Sequence, residues 1–111
     1  MSFLERTQEY KGVLFHLRLL TLENAVIAFF YEGEMKLGTL AVSMPMSVEE
    51  SVSRSSVLLG GRYMVASRIL SERLSAHYRK MSLVSFHSTH PEAEALRIYT
   101  GILNDLIQSS N

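Results

Sequence analysis

The segment from Ala25 to Tyr31 constrains the fold of this chain more than any other feature of its sequence. Its seven residues, Ala-Val-Ile-Ala-Phe-Phe-Tyr, are small, β-branched or aromatic, and this composition favours a β-strand. Because successive side chains of a strand point to opposite faces of a sheet, this strand is apolar on both faces. A small antiparallel sheet usually exposes one face to water. The segment therefore predicts a sheet covered on both sides, and in so short a chain a second subunit is a natural cover.

The length and composition limit the classes of protein that remain. A chain of 111 residues corresponds to one domain, which we divide into a polar lead-in (1–10) and a folded core (11–108). The chain has no cysteine, so we expect neither disulfides nor thiolate metal ligands. Eleven basic residues balance eleven acidic ones, which argues against nucleic-acid binding. No apolar run reaches the roughly 18 residues that span a membrane, and the first residues do not resemble a signal peptide. We therefore expect a cytoplasmic protein that does not bind membranes.

The hydrophobic pattern predicts an α+β fold in the order ββββαβα, with an antiparallel sheet of about five strands and two long helices. The predicted strands are residues 13–20, 25–31, 35–43, 55–59 and 81–86, and the predicted helices are residues 62–78 and 91–108. Helical spacing predicts two buried stripes: Ala66, Ile69, Leu70, Leu74 and Tyr78 in the first helix, and Ala95, Tyr99, Ile102, Leu103 and Leu106 in the second.

Five residues are candidates for a subunit interface. Ile27, Phe29 and Tyr31 share one face of the doubly apolar strand, and aromatic residues are enriched at interface hot spots. They are equally compatible with a place in the core. His16 and Arg18 lie on the less apolar face of the preceding strand, where they either border a partner or guard the sheet against unwanted pairing. Both interpretations place this face at a boundary between two copies of the chain, so we expect a homodimer.

Two further groups of residues are weak candidates for binding small ligands. Gly60, Gly61 and Arg62 precede a helix, and helix N-termini bind anions, but two glycines more often form a sharp turn. His87 and His90 could share a metal, although Glu92 is the one further ligand nearby in the sequence. The alternative is a polar loop with His90 near the start of the helix. No phosphate-binding motif or nucleophile elbow occurs, so we expect no cofactor and no enzymatic activity.

The order of elements and several landmarks resemble a known family. The landmarks are the strand Leu37–Pro45, which ends in Met-Pro, the segment Ser55–Gly60, a helix with Ala66–Leu70 and Arg73-Leu74, the basic pair Arg79-Lys80, and the strand Leu83–Phe86. From residue 12 to residue 106, this arrangement resembles the small proteasome-assembly chaperones of the third and fourth type and their archaeal relatives. The resemblance implies a non-catalytic dimer that binds proteasome α-subunits and helps to order their ring.

Two other functions remain open at this stage. One is a small domain that binds anions or nucleotides at the helix N-terminus after Gly60-Gly61. The other is a dimeric scaffold of the roadblock or longin type, which also combines a sheet with flanking helices. The fold alone does not decide among these functions, because function depends on the chemistry of the surface.

Overall fold

The computed structural model of the protein describes residues 2–45 and 54–109. In these ranges the chain forms six strands and two helices: β1 (Ser2–Tyr10), β2 (Val13–Thr21), β3 (Ala25–Glu32), β4 (Thr39–Met44), β5 (Arg54–Leu59), α1 (Met64–Tyr78), β6 (Met81–Phe86) and α2 (Glu92–Ser109). The strands make one sheet in the order β1-β2-β3-β6-β4-β5. Neighbouring strands are antiparallel except β3 and β6, which run parallel. The predicted α+β class with a largely antiparallel sheet and two helices is confirmed.

The first residues of the chain require a correction. The polar lead-in, which could have been a short helix or a frayed end, is instead the edge strand β1, so the sheet has six strands rather than five. It pairs with β2 along its whole length, from Ser2 opposite Thr21 to Tyr10 opposite Val13. Lys11 (φ 52°) and Gly12 (φ 79°) make the two-residue turn between them. Two positive φ angles match the twist of a hairpin, and charged side chains are typical of an edge strand.

Both helices lie on one face of the sheet, which we call the helix face; the opposite side is the open face. α1 packs against β4, β5 and β6, whereas α2 packs against β1 and β2. The core between them is built from alternate residues of the strands, among them Leu17, Phe30 and Val84, and from residues of both helices such as Leu70 and Leu103. None of the helices in the described ranges is long and apolar enough to cross a membrane.

The buried stripe of α1 differs from the predicted one. Ile69 is 44% exposed, so its assignment to the stripe is wrong, although Ala66, Leu70 and Leu74 are fully buried as predicted. Three buried serines complete the stripe: Ser67, Ser71 and Ser75. Their hydroxyls donate to backbone carbonyls, at 3.2, 3.0 and 2.9 Å respectively, so burial leaves no hydroxyl unsatisfied. The predicted stripe of α2 is confirmed, since all five of its residues are buried.

β4 begins later than the alternation predicts. Residues 35–38 form no strand, and Gly38 lies against the backbone at the end of β6. A Cβ atom at Gly38 would lie 2.1 Å from the carbonyl oxygen of Phe86. The amide of Gly38 donates to the Ser85 hydroxyl at 2.9 Å. Glycine therefore permits the close approach that starts the β4–β6 pairing.

Candidate interaction surface on the open face of the sheet

The strand register places a row of four aliphatic side chains across the open face. Leu20 of β2 lies opposite Ile27 of β3, which lies beside Leu83 of β6, which lies opposite Val42 of β4. All four side chains are partly exposed. These side chains are partly exposed because both helices lie on the other face of the sheet. We call these four residues the aliphatic row.

A second row changes from polar to apolar along its length. Glu5 and Arg18 lie opposite each other at the β1 side, and Phe29, Ser85 and Leu40 continue the row toward β4. Arg18 Nε lies 3.9 Å from Glu5 Oε2, and a second guanidinium nitrogen lies 3.5 Å from the sulfur of Met35. Phe29 is partly exposed. The open face thus has an apolar centre with a charged margin at β1, the usual anatomy of a protein interface.

A third row contains the aromatic contacts of the open face. The His16 ring stacks on Tyr31, with the ring centroids 4.8 Å apart and the planes inclined by 20°. Thr7 Oγ1 lies 2.9 Å from His16 Nδ1. Tyr31 is only 5% exposed, and burial raises the pKa of its hydroxyl above the ordinary value of 10.0. Tyr31 is therefore a neutral side chain that is buried within the chain, in part by the stacked His16 ring.

All five residues predicted for an interface lie together on the open face: His16, Arg18, Ile27, Phe29 and Tyr31. Of these, Ile27 and Phe29 offer partly exposed apolar surface, whereas Tyr31 offers little. The sequence did not indicate Leu40, Val42 and Leu83, which extend this surface. Their own strands were predicted, but the parallel β3–β6 pairing that brings them beside Ile27 and Phe29 depends on long-range contacts.

The segment Gly60–Arg62 leads into α1, but a carboxylate already lies at the N-terminus of this helix. Glu92 Oε2 accepts a hydrogen bond from the backbone N–H of Ala66 at 2.9 Å. The guanidinium of Arg62 lies over the Tyr63 ring, 5.4 Å from its centroid. An anion at this N-terminus would meet the carboxylate of Glu92, so the geometry opposes the predicted anion site.

His87 and His90 lie in the loop between β6 and α2, and His90 is engaged by Glu32. His90 Nδ1 lies 3.0 Å from Glu32 Oε2. Burial, together with the charge of Lys36, lowers the pKa of His87 below its ordinary value of 6.5. Within the described ranges, no three side chains of the types that bind metals are grouped as a metal site requires.

The sequence pattern did not indicate the role of Glu32. Its buried carboxylate accepts hydrogen bonds from the Ser88 hydroxyl, and from the Thr89 backbone N–H and hydroxyl at 2.9 and 2.8 Å. Burial alone would raise the pKa of Glu32, but these hydrogen bonds and the one from His90 outweigh it and lower the pKa below 4.5. Through these hydrogen bonds, Glu32 holds the β6–α2 loop against the end of β3.

Comparisons with known proteins show the fold. No family model matches the sequence, and no curated protein matches it. A chain from the crystal structure of a novel chaperone complex for yeast 20S proteasome assembly is similar in structure, with a TM-score of 0.70. The similarity covers 95% of this chain and 98% of that chain, at 9% sequence identity. At this identity the comparison establishes a shared fold over nearly the whole chain.

Proposed function

We propose that this protein is a non-catalytic assembly chaperone that works as a pair of chains joined through their open faces. The observation that carries the proposal is the aliphatic row, which stays partly exposed on the side of the sheet opposite both helices. Burying apolar surface stabilises an assembly by roughly 25 cal/mol per Å² removed from water. Pairing through the open face would remove this row from water in both copies.

The geometry of the molecule suits such a pairing. Its principal axes measure 45, 31 and 20 Å, so its broad side has room for the roughly 800 Å² per partner of a standard interface. Two sheets that pack face to face lie about 10 Å apart, and their side chains interdigitate. Helices would then cover both outer sides of the pair. Both faces of β3 would be enclosed, as the composition of Ala25–Tyr31 requires.

The proposed client is the α-subunits of the proteasome. The family resemblance of the sequence implies this client, and the fold shared with a chain of a 20S proteasome assembly complex supports it. The low sequence identity means that the client contacts must be tested on this chain directly.

The test mixes the purified protein with purified proteasome α-subunits, one at a time, and follows complex formation by size-exclusion chromatography. We expect co-elution with at least one α-subunit. Small GTPases serve as the comparison, because the roadblock or longin type of scaffold would bind these instead. Co-elution with a GTPase, or with none of the α-subunits while the protein is folded, would contradict the proposed client.

A further inference from the structure

His16 is a titratable side chain on the surface through which two chains are proposed to pair. It lies on the open face of β2, where its ring stacks on Tyr31 with the ring centroids 4.8 Å apart. The next residue of β2 on the same face is Arg18, two positions along the strand. The His16 side chain is partly exposed in the single chain, so water reaches it until a second copy covers this face.

The structure supplies a hydrogen-bond partner for one of the two ring nitrogens of His16. Thr7 Oγ1 lies 2.9 Å from Nδ1, whereas Nε2 makes no hydrogen bond to any residue in the ranges 2–45 and 54–109. Water can bind Nε2 while the face is open. A second sheet packed about 10 Å away would exclude this water. A protonated ring would then carry its charge into the interface without solvation, which is costly.

The charges that face His16 within its own chain do not compensate for a proton on its ring. Arg18 is positive, and its partner Glu5 of β1 lies 3.9 Å from the guanidinium Nε. Glu9, the other acidic residue on this side of β1, is exposed and lies opposite Leu14 at the end of the strand. A proton on His16 therefore adds a second positive charge beside Arg18 in each copy of the chain.

The other three histidines are less suited to sense pH at this surface. His77 is exposed in α1, on the helix side of the sheet. His90 lies in the β6–α2 loop, with Nδ1 3.0 Å from a buried carboxylate. Burial and the charge of Lys36 already lower the pKa of His87 below 6.5 in the single chain. Pairing should therefore change the protonation of His87 less than that of His16.

From this geometry we infer that His16 makes the pairing of two chains sensitive to pH, because a proton on its ring opposes burial of the open face. The inference rests on the proposed function and adds a form of regulation to the same surface. Each pair buries two His16 rings, one from each copy. Because unpaired chains bind these protons more readily than paired chains, pairing is strongest near neutral pH and weakens as the pH falls through the range in which histidine titrates.

Sedimentation velocity of the full chain over a concentration series measures the dissociation constant of the pair, at about pH 7.5 and about pH 5.5 and at constant ionic strength. We expect the dissociation constant to rise at least about tenfold at the lower pH, because two protons are taken up for each pair that separates. The fold should not change over this range, since the pKa of Glu32 lies below 4.5 and its carboxylate stays charged. Circular dichroism at both pH values checks this.

His16→Phe is the decisive variant, because phenylalanine keeps a ring that can stack on Tyr31 but cannot take up a proton. His16→Gln removes the titrating group without keeping the ring. We expect both variants to pair with nearly the same dissociation constant at the two pH values. His77→Gln and His87→Gln are the matched controls, and both should keep the response of the unaltered chain.

A pair of unaltered chains that is equally stable at both pH values would overturn this inference alone, and so would a response that survives in both His16 variants. Tighter pairing at the lower pH would also overturn it, since carboxylates such as Glu9 would then face His16 across the pair. A folded single chain at both pH values would instead contradict the proposed pairing, and this inference would fall with it.

Discussion

At the scale of single residues, Glu32 shows how one carboxylate fixes a connection that the sequence pattern leaves undefined. It ends β3, and its hydrogen-bond donors come from the loop that follows β6, more than fifty positions later in the chain. Glu32 stands beside Gly33 and Glu34, where a sequence reading indicates an ordinary polar turn. Its role follows from the parallel pairing of β3 with β6, so it could not be predicted from local pattern.

We expect Glu32→Gln to destabilise the protein by about 1–3 kcal/mol near neutral pH, because the carboxamide presents a donor group to the donors of Ser88 and Thr89. The pKa of Glu32 is lower in the folded protein than in the unfolded chain, so the unfolded chain binds the proton more tightly. The stabilisation is therefore fully present above the ordinary pKa of 4.5 and is lost as the pH falls through the folded pKa. Urea unfolding at a fixed protein concentration, over a series of pH values, measures this.

Glu34→Gln is the matched control, because Glu34 is exposed two positions further along the chain. We expect it to change the free energy of unfolding by no more than about 0.5 kcal/mol. A Glu32→Gln protein as stable as the Glu34→Gln protein near neutral pH would show that the buried hydrogen bonds contribute nothing.

At the scale of secondary-structure elements, most of the fold could be predicted from hydrophobic period. β6 begins and ends at the predicted residues, and the buried stripe of α2 is the predicted one. The failures have physical causes. β1 was missed because it is a polar edge strand. The buried side of α1 differs from the predicted one because it includes three small serines, and a hydrophobic pattern does not identify serines as buried. The strand order depends on pairings between distant residues.

Replacing glycine by alanine should have opposite effects at two positions. Gly38→Ala should destabilise the protein by about 1–3 kcal/mol, because its Cβ would overlap the Phe86 carbonyl where β4 meets β6. Gly101→Ala should stabilise it by roughly 0.5–1 kcal/mol, because Gly101 lies on the exposed side of α2 with no atom near its Cβ position. Thermal unfolding of both variants tests this, and a lower melting temperature for Gly101→Ala would contradict it.

At the scale of the whole molecule, the two sides of the sheet have different surroundings. The helices enclose one side, and the aliphatic row remains partly exposed on the other. The doubly apolar composition of Ala25–Tyr31 indicated this from the sequence, because a strand buried on one face alone would alternate with polar residues. The sequence did not indicate which other strands extend the open face, because their pairing with β3 depends on contacts between distant residues.

Size-exclusion chromatography with light scattering at micromolar concentration measures the mass of the protein in solution, and so decides whether two chains pair through their open faces. We predict twice the chain mass of 12.6 kDa for the unaltered protein and for Ile69→Glu, and a single folded chain for Phe29→Glu, which places a charge in the paired face. A folded, unaltered protein that elutes as a stable monomer of 12.6 kDa would contradict pairing through the open face.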